Sequence, residues 1–166
     1  METIVSTSAA PSLVEQHRPR PLPAIAIGGV IVGILDLTYA IVVYSPTQPI
    51  LIPHAIASGV LGQKSFEGGA WTALLGVALH FVIAFGAAAV YYMASRTLPF
   101  LIRRTIPSGL IYGALVYLFM RYVVLPLSAV DHREMPFVYK VFEFIEHWFF
   151  VGLPIALSVR YYSRET

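Results

Sequence analysis

Four long apolar stretches restrict the fold of this 166-residue chain more than any other feature. They cover residues 24–44, 70–95, 106–130 and 137–162. A membrane-spanning α-helix needs about 20 mainly apolar residues, and each stretch reaches that length. The first three are strongly apolar, whereas several charged side chains interrupt the first half of the fourth. The sequence therefore predicts an all-α, polytopic membrane protein with four transmembrane helices.

The composition excludes the common soluble classes. Hydrophobic residues make up 57% of the chain and charged residues only 12%, against about 25% charged in a typical soluble domain. The 11 Lys and Arg residues barely exceed the nine Asp and Glu residues, so no nucleic-acid surface is expected. Because the chain has no cysteine, disulfides, thiolate metal sites and a cysteine nucleophile are excluded.

The distribution of basic residues predicts the orientation. Residues 1–23 are polar and proline-rich and predict a disordered tail, while residues 163–166 form the other end. Seven Lys and Arg residues lie in the tail, the second-to-third loop and the C-terminal end, against three on the other side. Cytoplasmic loops carry the excess of positive charge. Both termini are therefore predicted to be cytoplasmic.

The loop between the first two spans, residues 45–69, has an apolar middle at residues 52–61. That segment is too short to span a bilayer. It predicts an interfacial or re-entrant helix, and an ordinary extracytoplasmic loop is the alternative. The inner loop between the second and third spans is short, which predicts a tight antiparallel hairpin.

Small residues recur at helical spacing on three spans. They include Gly29 and Gly33 in the first span and Gly109 and Gly113 in the third. Helices in lipid associate through such residues because their backbones can approach closely. These faces are therefore expected to point into the bundle, and the simplest interpretation is that they only pack helices together.

Ionisable residues lie deep inside the spans. This polar layer comprises Asp36, His80, Arg121, Glu146 and His147. A rise of 1.5 Å per residue places all of them about 12–15 Å below the outer ends. A charge at that depth needs a partner or a cavity. We expect an Asp36–Arg121 ion pair and a polar cavity around it. The ion pair either only stabilises the bundle, or the polar layer is a substrate or proton site.

Helix four contains a run of two carboxylates and an imidazole, Glu143, Glu146 and His147. Glu143 and His147 are four residues apart and share a helix face. With His80, they define a candidate metal site of His80, Glu143 and His147. A haem held by His80 and His147 is a further alternative. The competing interpretation is a polar stripe on a helix end that extends above the lipid.

Several segments carry a resemblance to known proteins: GILDLTYA (33–40), AIASGVLG (55–62), LHFVIAFGAAAVYYMASRTLP (79–99) and GLIYGALVYLFMRYVVLPLSA (109–129). The chain resembles a group of small four-helix bacterial inner-membrane proteins of unknown function. The resemblance implies a bacterial cytoplasmic-membrane location. It implies no activity and no catalytic residue.

Two classes of function remain open. The first is a non-enzymatic transport, sensing or assembly partner that works as a homo-oligomer or as a subunit of a membrane complex. The second is a membrane-embedded metal or haem protein with redox activity. The chain lacks a GxSxG motif, a P-loop and a GxGxxG motif, so no catalytic residue is predicted, and no cofactor follows from the sequence alone.

Overall fold

The computed structural model describes residues 20–131 and 136–164, which are helical with no β-strand. Two short elements are α2 (Leu51–Leu61) and α4 (Phe100–Arg103). Four long helices complete the described fold: α1 (Pro21–Tyr44), α3 (Gly69–Thr97), α5 (Thr105–Leu127) and α6 (Phe137–Ser163). Each of the four is long and apolar enough to cross a membrane. The predicted all-α fold with four such helices is thereby confirmed at this level.

The helix ends differ slightly from the predicted ones. α1 begins at Pro21, so residues 21–23 belong to the helix and not to the predicted tail. Proline suits the first turn of a helix because the N–H that it lacks would have no partner there. Residues 1–19 of the tail lie outside the described residues. At the other end the last helical segment continues to Arg164, inside the predicted C-terminal end.

Glycines set the close contacts between helices. The rings of Phe85 and Phe81 on α3 occupy the space that a Cβ would need at Gly29 and Gly33 of α1. On α5, a Cβ at Gly113 would meet the backbone carbonyl of His147 on α6. The small-residue faces predicted in the first and third spans therefore do point into the bundle. They place α1 against α3, and α5 against α6.

The predicted tight hairpin of the second and third spans is wrong. α1 packs on α3 and α6, and α5 packs on α6, whereas α3 and α5 make little close backbone contact. The bulky rings of Tyr91 and Tyr112 separate α3 from α5, with ring centroids 4.9 Å apart. A short loop places two consecutive helices side by side, but the size of the side chains between them decides how closely the helices approach. The gap leaves room for cavities at the α2 end of the bundle.

The apolar middle of the first outer loop forms a helix, α2, followed by a 3₁₀ turn at Gly62–Phe66. α2 packs across α3, where a Cβ at Gly76 would meet the carbonyl oxygen of Pro53. His54 of α2 is buried, and its Nε2 donates to the carbonyl of Gly69, 2.9 Å away. α2 is thus fixed against the start of α3.

Two long helices contain π-helical turns, at Met120–Val124 in α5 and at His147–Gly152 in α6. Each turn ends two residues before a proline, Pro126 and Pro154 respectively. A proline inside a helix removes one N–H and displaces the carbonyl four residues earlier. π-helical turns are rare and frequently mark functional sites. Both turns contain members of the polar layer, Arg121 and His147.

Candidate functional site

Asp36 of α1 and His80 of α3 meet inside the bundle. Nε2 of His80 donates to the carbonyl oxygen of Gly33, 3.0 Å away. The proton on Nε2 leaves Nδ1 of a neutral ring as a lone-pair acceptor. Nδ1 lies 3.8 Å from Oδ2 of Asp36. Two acceptors therefore face each other across this gap, unless a proton or a cation lies between them.

Glu146 and His147 of α6 form a second pair. Nδ1 of His147 lies 2.7 Å from Oε2 of Glu146 and 2.8 Å from the carbonyl oxygen of Glu143. Since both neighbours are acceptors, Nδ1 carries a proton that it donates to them. Nε2 of the same ring is then free to accept a proton or to bind a cation.

The two pairs converge into one carboxylate–imidazole cluster, which consists of Asp36, His80, Glu146 and His147. Asp36, Glu146 and His147 each supply one ligand atom, and these three atoms lie within 4.8 Å of one another. Glu146 is only 5% exposed, and its Oε1 has no hydrogen-bond partner among the described residues. A buried carboxylate oxygen without a partner is costly, so this geometry favours a bound cation or a shared proton.

The cluster lines a cavity of about 220 Å³. The polar wall comes from Asp36, His80, Glu143, Glu146 and His147, and the rest is mainly aliphatic. The polar layer was predicted to surround a cavity, and four of its five members do so.

Arg121 is the exception, and the predicted Asp36–Arg121 ion pair is wrong. In the described part of the chain, Asp36 has its ion-pair contact with His80, and no hydrogen bond or ion pair joins it to Arg121. Arg121 lies in the π-helical turn of α5 and lines a separate cavity of about 470 Å³ with Glu143 and Asp131. Similar depth in two helices did not imply contact, because α1 and α5 are not neighbours in the bundle.

The predicted metal ligands are also rearranged. The sequence indicated His80, Glu143 and His147, whereas the closest group of ligand atoms belongs to Asp36, Glu146 and His147. Glu143 faces the same cavity but is not a member of that group. Glu146 and His147 are adjacent in sequence, a spacing that ordinarily points two side chains about 100° apart on a helix. The π-helical turn begins at His147, the second residue of this contact.

The haem alternative fits the site poorly. A cavity of about 220 Å³ is smaller than the roughly 300–1,000 Å³ of pockets that enclose cofactors. His80 also directs Nε2 at the Gly33 carbonyl and not into the cavity. The residues favour a small ion over a large planar group.

Two tyrosines of α1, Tyr39 and Tyr44, also belong to the cavity wall. Tyr44 and Tyr39 stack edge to face at 6.1 Å, and Tyr44 contacts Tyr139 of α6 in the same way at 5.7 Å. The Tyr44 hydroxyl is buried and has no hydrogen-bond partner in the described part of the chain. No spacing rule in the sequence indicated this role, since interfacial tyrosines are common at helix ends.

Comparison of the chain with protein families, curated proteins and solved structures finds no match. The resemblance to small four-helix bacterial membrane proteins therefore stays a prediction. The chemistry of the carboxylate–imidazole cluster is the observation that bears on function.

Proposed function

We propose that this chain is an integral membrane protein of the bacterial cytoplasmic membrane, with four transmembrane helices and both termini in the cytoplasm. The apolar exterior supports the location: Val42, Val82 and Leu115 are each more than half exposed although they lie on long helices. Extensive exposed apolar surface is unstable in water but suits lipid. The excess of Lys and Arg on one side supports the orientation.

In this arrangement α2 lies at the outer interface, without re-entering the bilayer. One face of α2 is buried against the bundle through Pro53, His54, Ala57 and Ser58. Its other face exposes apolar side chains such as Val60. An amphipathic position between protein and headgroups suits a helix of 11 residues, which is only about 16 Å long.

The function that the geometry supports best is the binding of a divalent transition-metal cation by the carboxylate–imidazole cluster. The observation that carries this proposal is the convergence of Asp36, Glu146 and His147 within 4.8 Å, together with the unpartnered buried oxygen of Glu146. Carboxylate and imidazole ligands are a set that Zn²⁺, Mn²⁺ and Fe²⁺ accept.

The distances are compatible with a common metal. Zn²⁺ binds nitrogen and oxygen ligands at about 2.0–2.2 Å in tetrahedral geometry, so two of its ligand atoms lie about 3.3–3.6 Å apart. The three ligand atoms lie within 4.8 Å of one another, so they would have to approach by up to about 1.3 Å to hold one ion. Nδ1 of His80, 3.8 Å from Asp36, could supply a fourth ligand.

We assign this cation site to a non-enzymatic role in transport or sensing, since ionisable residues inside membrane spans typically mark ion pathways. The partners that we propose are the lipid bilayer and either further copies of this chain or other membrane subunits. A proton relay is the second candidate, because the 2.7 Å contact between His147 and Glu146 would also serve proton transfer.

The test is metal binding by the full chain in lipid nanodiscs. Titration with Co²⁺, followed by its visible absorption, and with Zn²⁺ by calorimetry should show one site per chain. Glu146→Gln should weaken binding by roughly 100-fold or more, because it removes a ligand and not merely an outer contact. Glu67→Gln, an exposed carboxylate outside the bundle, is the matched control and should bind like the unmodified protein.

Failure of the folded, unmodified protein to bind any of these cations would contradict the proposal and favour the proton relay. Equal binding by Glu146→Gln and Glu67→Gln would show that the metal binds elsewhere.

A further inference from the structure

Two cavities adjoin at the α2 end of the bundle. The cavity of about 220 Å³ contains the cluster, and the larger one of about 470 Å³ extends towards α2 and the end of α5. They share one charged lining residue, Glu143. The other shared lining residues are aliphatic: Ile52, Ile56, Ile83, Met120 and Leu125. Glu143 thus lies at the boundary between the two cavities.

One oxygen of the Glu143 carboxylate has no hydrogen-bond partner among the described residues. This oxygen, Oε2, is shielded from solvent. The hydrogen bond between Glu143 and His147 uses the backbone carbonyl of Glu143 and not its carboxylate. It lies one helical turn from Glu146 and His147 on the same face of α6.

The larger cavity leads outwards. Asp131, which is exposed, lines it together with Ser128 and Arg121. Among the described residues, its charged lining comprises the carboxylates of Glu143 and Asp131 and the guanidinium of Arg121, and carboxylates are oxygen ligands for divalent cations. The cavity connects an exposed acidic residue to Glu143.

The opposite side of the smaller cavity is closed. Tyr112 donates from its hydroxyl to the carbonyl of Ala87, 2.7 Å away, and its ring packs on Tyr91. Below this level the buried side chains of Val151, Ile155 and Val159 belong to the hydrophobic core. Within the described residues, the adjoining larger cavity gives the cluster an approach route from the α2 end.

We infer that Glu143 is a transfer ligand, which holds an incoming divalent cation in the larger cavity and passes it to Asp36, Glu146 and His147. The inference rests on the proposed cation site. A transfer ligand lowers the barrier for both binding and release, so it changes the two rates together and leaves the affinity unchanged. A ligand of the final site would instead change the affinity.

The experiment is stopped-flow mixing of Co²⁺ or Zn²⁺ with the full chain in nanodiscs. Glu143→Gln should slow association about tenfold or more, within the range by which charges in a cleft alter on-rates. Release should slow by a similar factor, because the intermediate ligand that lowers the barrier in both directions is lost. The dissociation constant should stay within about threefold, and Glu67→Gln should change neither rate. Glu143→Asp, which keeps the charge, should restore most of the rate and shows that the effect is not a folding defect.

The outcomes separate the two proposals. Unchanged rates in Glu143→Gln, with normal binding by the unmodified protein, would overturn the transfer role and leave the cation site intact. A dissociation constant raised as strongly as in Glu146→Gln would make Glu143 a ligand of the final site, which also overturns the transfer role. An unmodified protein that binds no cation overturns the proposed function and this inference with it.

Discussion

Oδ2 of Asp36 on α1 lies 3.8 Å from Nδ1 of His80 on α3. The orientation of this imidazole is set by its other nitrogen, which donates to the Gly33 carbonyl on α1. α1 therefore supplies both the acceptor that orients His80 and the carboxylate that faces it. The neighbour of Asp36 is therefore an imidazole. The similar depth of Asp36 and Arg121 in their helices had instead predicted that these two residues would form an ion pair.

The first prediction concerns the partner of Asp36. In double-mutant cycles, Asp36→Asn and His80→Gln should show a coupling energy of at least about 0.5 kcal/mol, because the two side chains are in contact. Asp36→Asn and Arg121→Gln should add within about 0.5 kcal/mol, since they share no ion pair. Thermal unfolding in detergent measures both cycles. A coupling energy above about 1 kcal/mol between Asp36 and Arg121 would show that these two residues interact, which would contradict the structure.

The second prediction concerns the contact between α5 and α6. Gly113→Ala should destabilise the protein by roughly 1–3 kcal/mol, because the new methyl group would overlap the His147 carbonyl. It should also weaken Co²⁺ binding, since His147 would be displaced. Gly86→Ala is the control: nothing lies within 4 Å of a Cβ there. Equal tolerance of both changes in a thermal-unfolding assay would contradict the close approach of the two helices.

The third prediction concerns the contact that closes the smaller cavity. Tyr112→Phe removes the hydrogen bond to the Ala87 carbonyl and should cost about 0.5–1.5 kcal/mol of stability. Tyr122→Phe changes a tyrosine that is 71% exposed and should have almost no effect. The two variants are compared by their melting temperatures in the same detergent. A larger loss of stability in Tyr122→Phe than in Tyr112→Phe would contradict the contribution of the Tyr112 hydrogen bond.

The fourth prediction concerns topology, which single cysteines can report because the chain has none. Glu67→Cys should react with an impermeant maleimide from outside intact cells, and Phe100→Cys only after the membrane is opened. Both residues are exposed, whereas Ser65 is fully buried and unsuitable for labelling. Labelling of both positions from the same side would contradict a span at α3.

The sequence was sufficient for the long helices and for part of their contacts. Hydropathy locates a span because each helix satisfies its own backbone hydrogen bonds, so the signal is local. The spacing of Gly29 and Gly33, and of Gly109 and Gly113, likewise indicated faces that the structure places against neighbouring helices. Depth along a helix, a local quantity too, predicted that the five residues of the polar layer would line one cavity, and four of them do.

Contacts between particular side chains depended on the tertiary structure. The order in which helices pack separates α1 from α5, so Arg121 and Asp36 are not partners. Glu146 and His147, where the π-helical turn of α6 begins, lie at the same site as Asp36, which belongs to a helix distant in sequence. The rotation of each helix about its own axis, and the choice of which helices lie side by side, result from packing along the whole length of several helices. The four long apolar helices and the positions of the ionisable residues along them therefore follow from the sequence by itself, whereas the pairing inside the cluster follows only from the packed bundle.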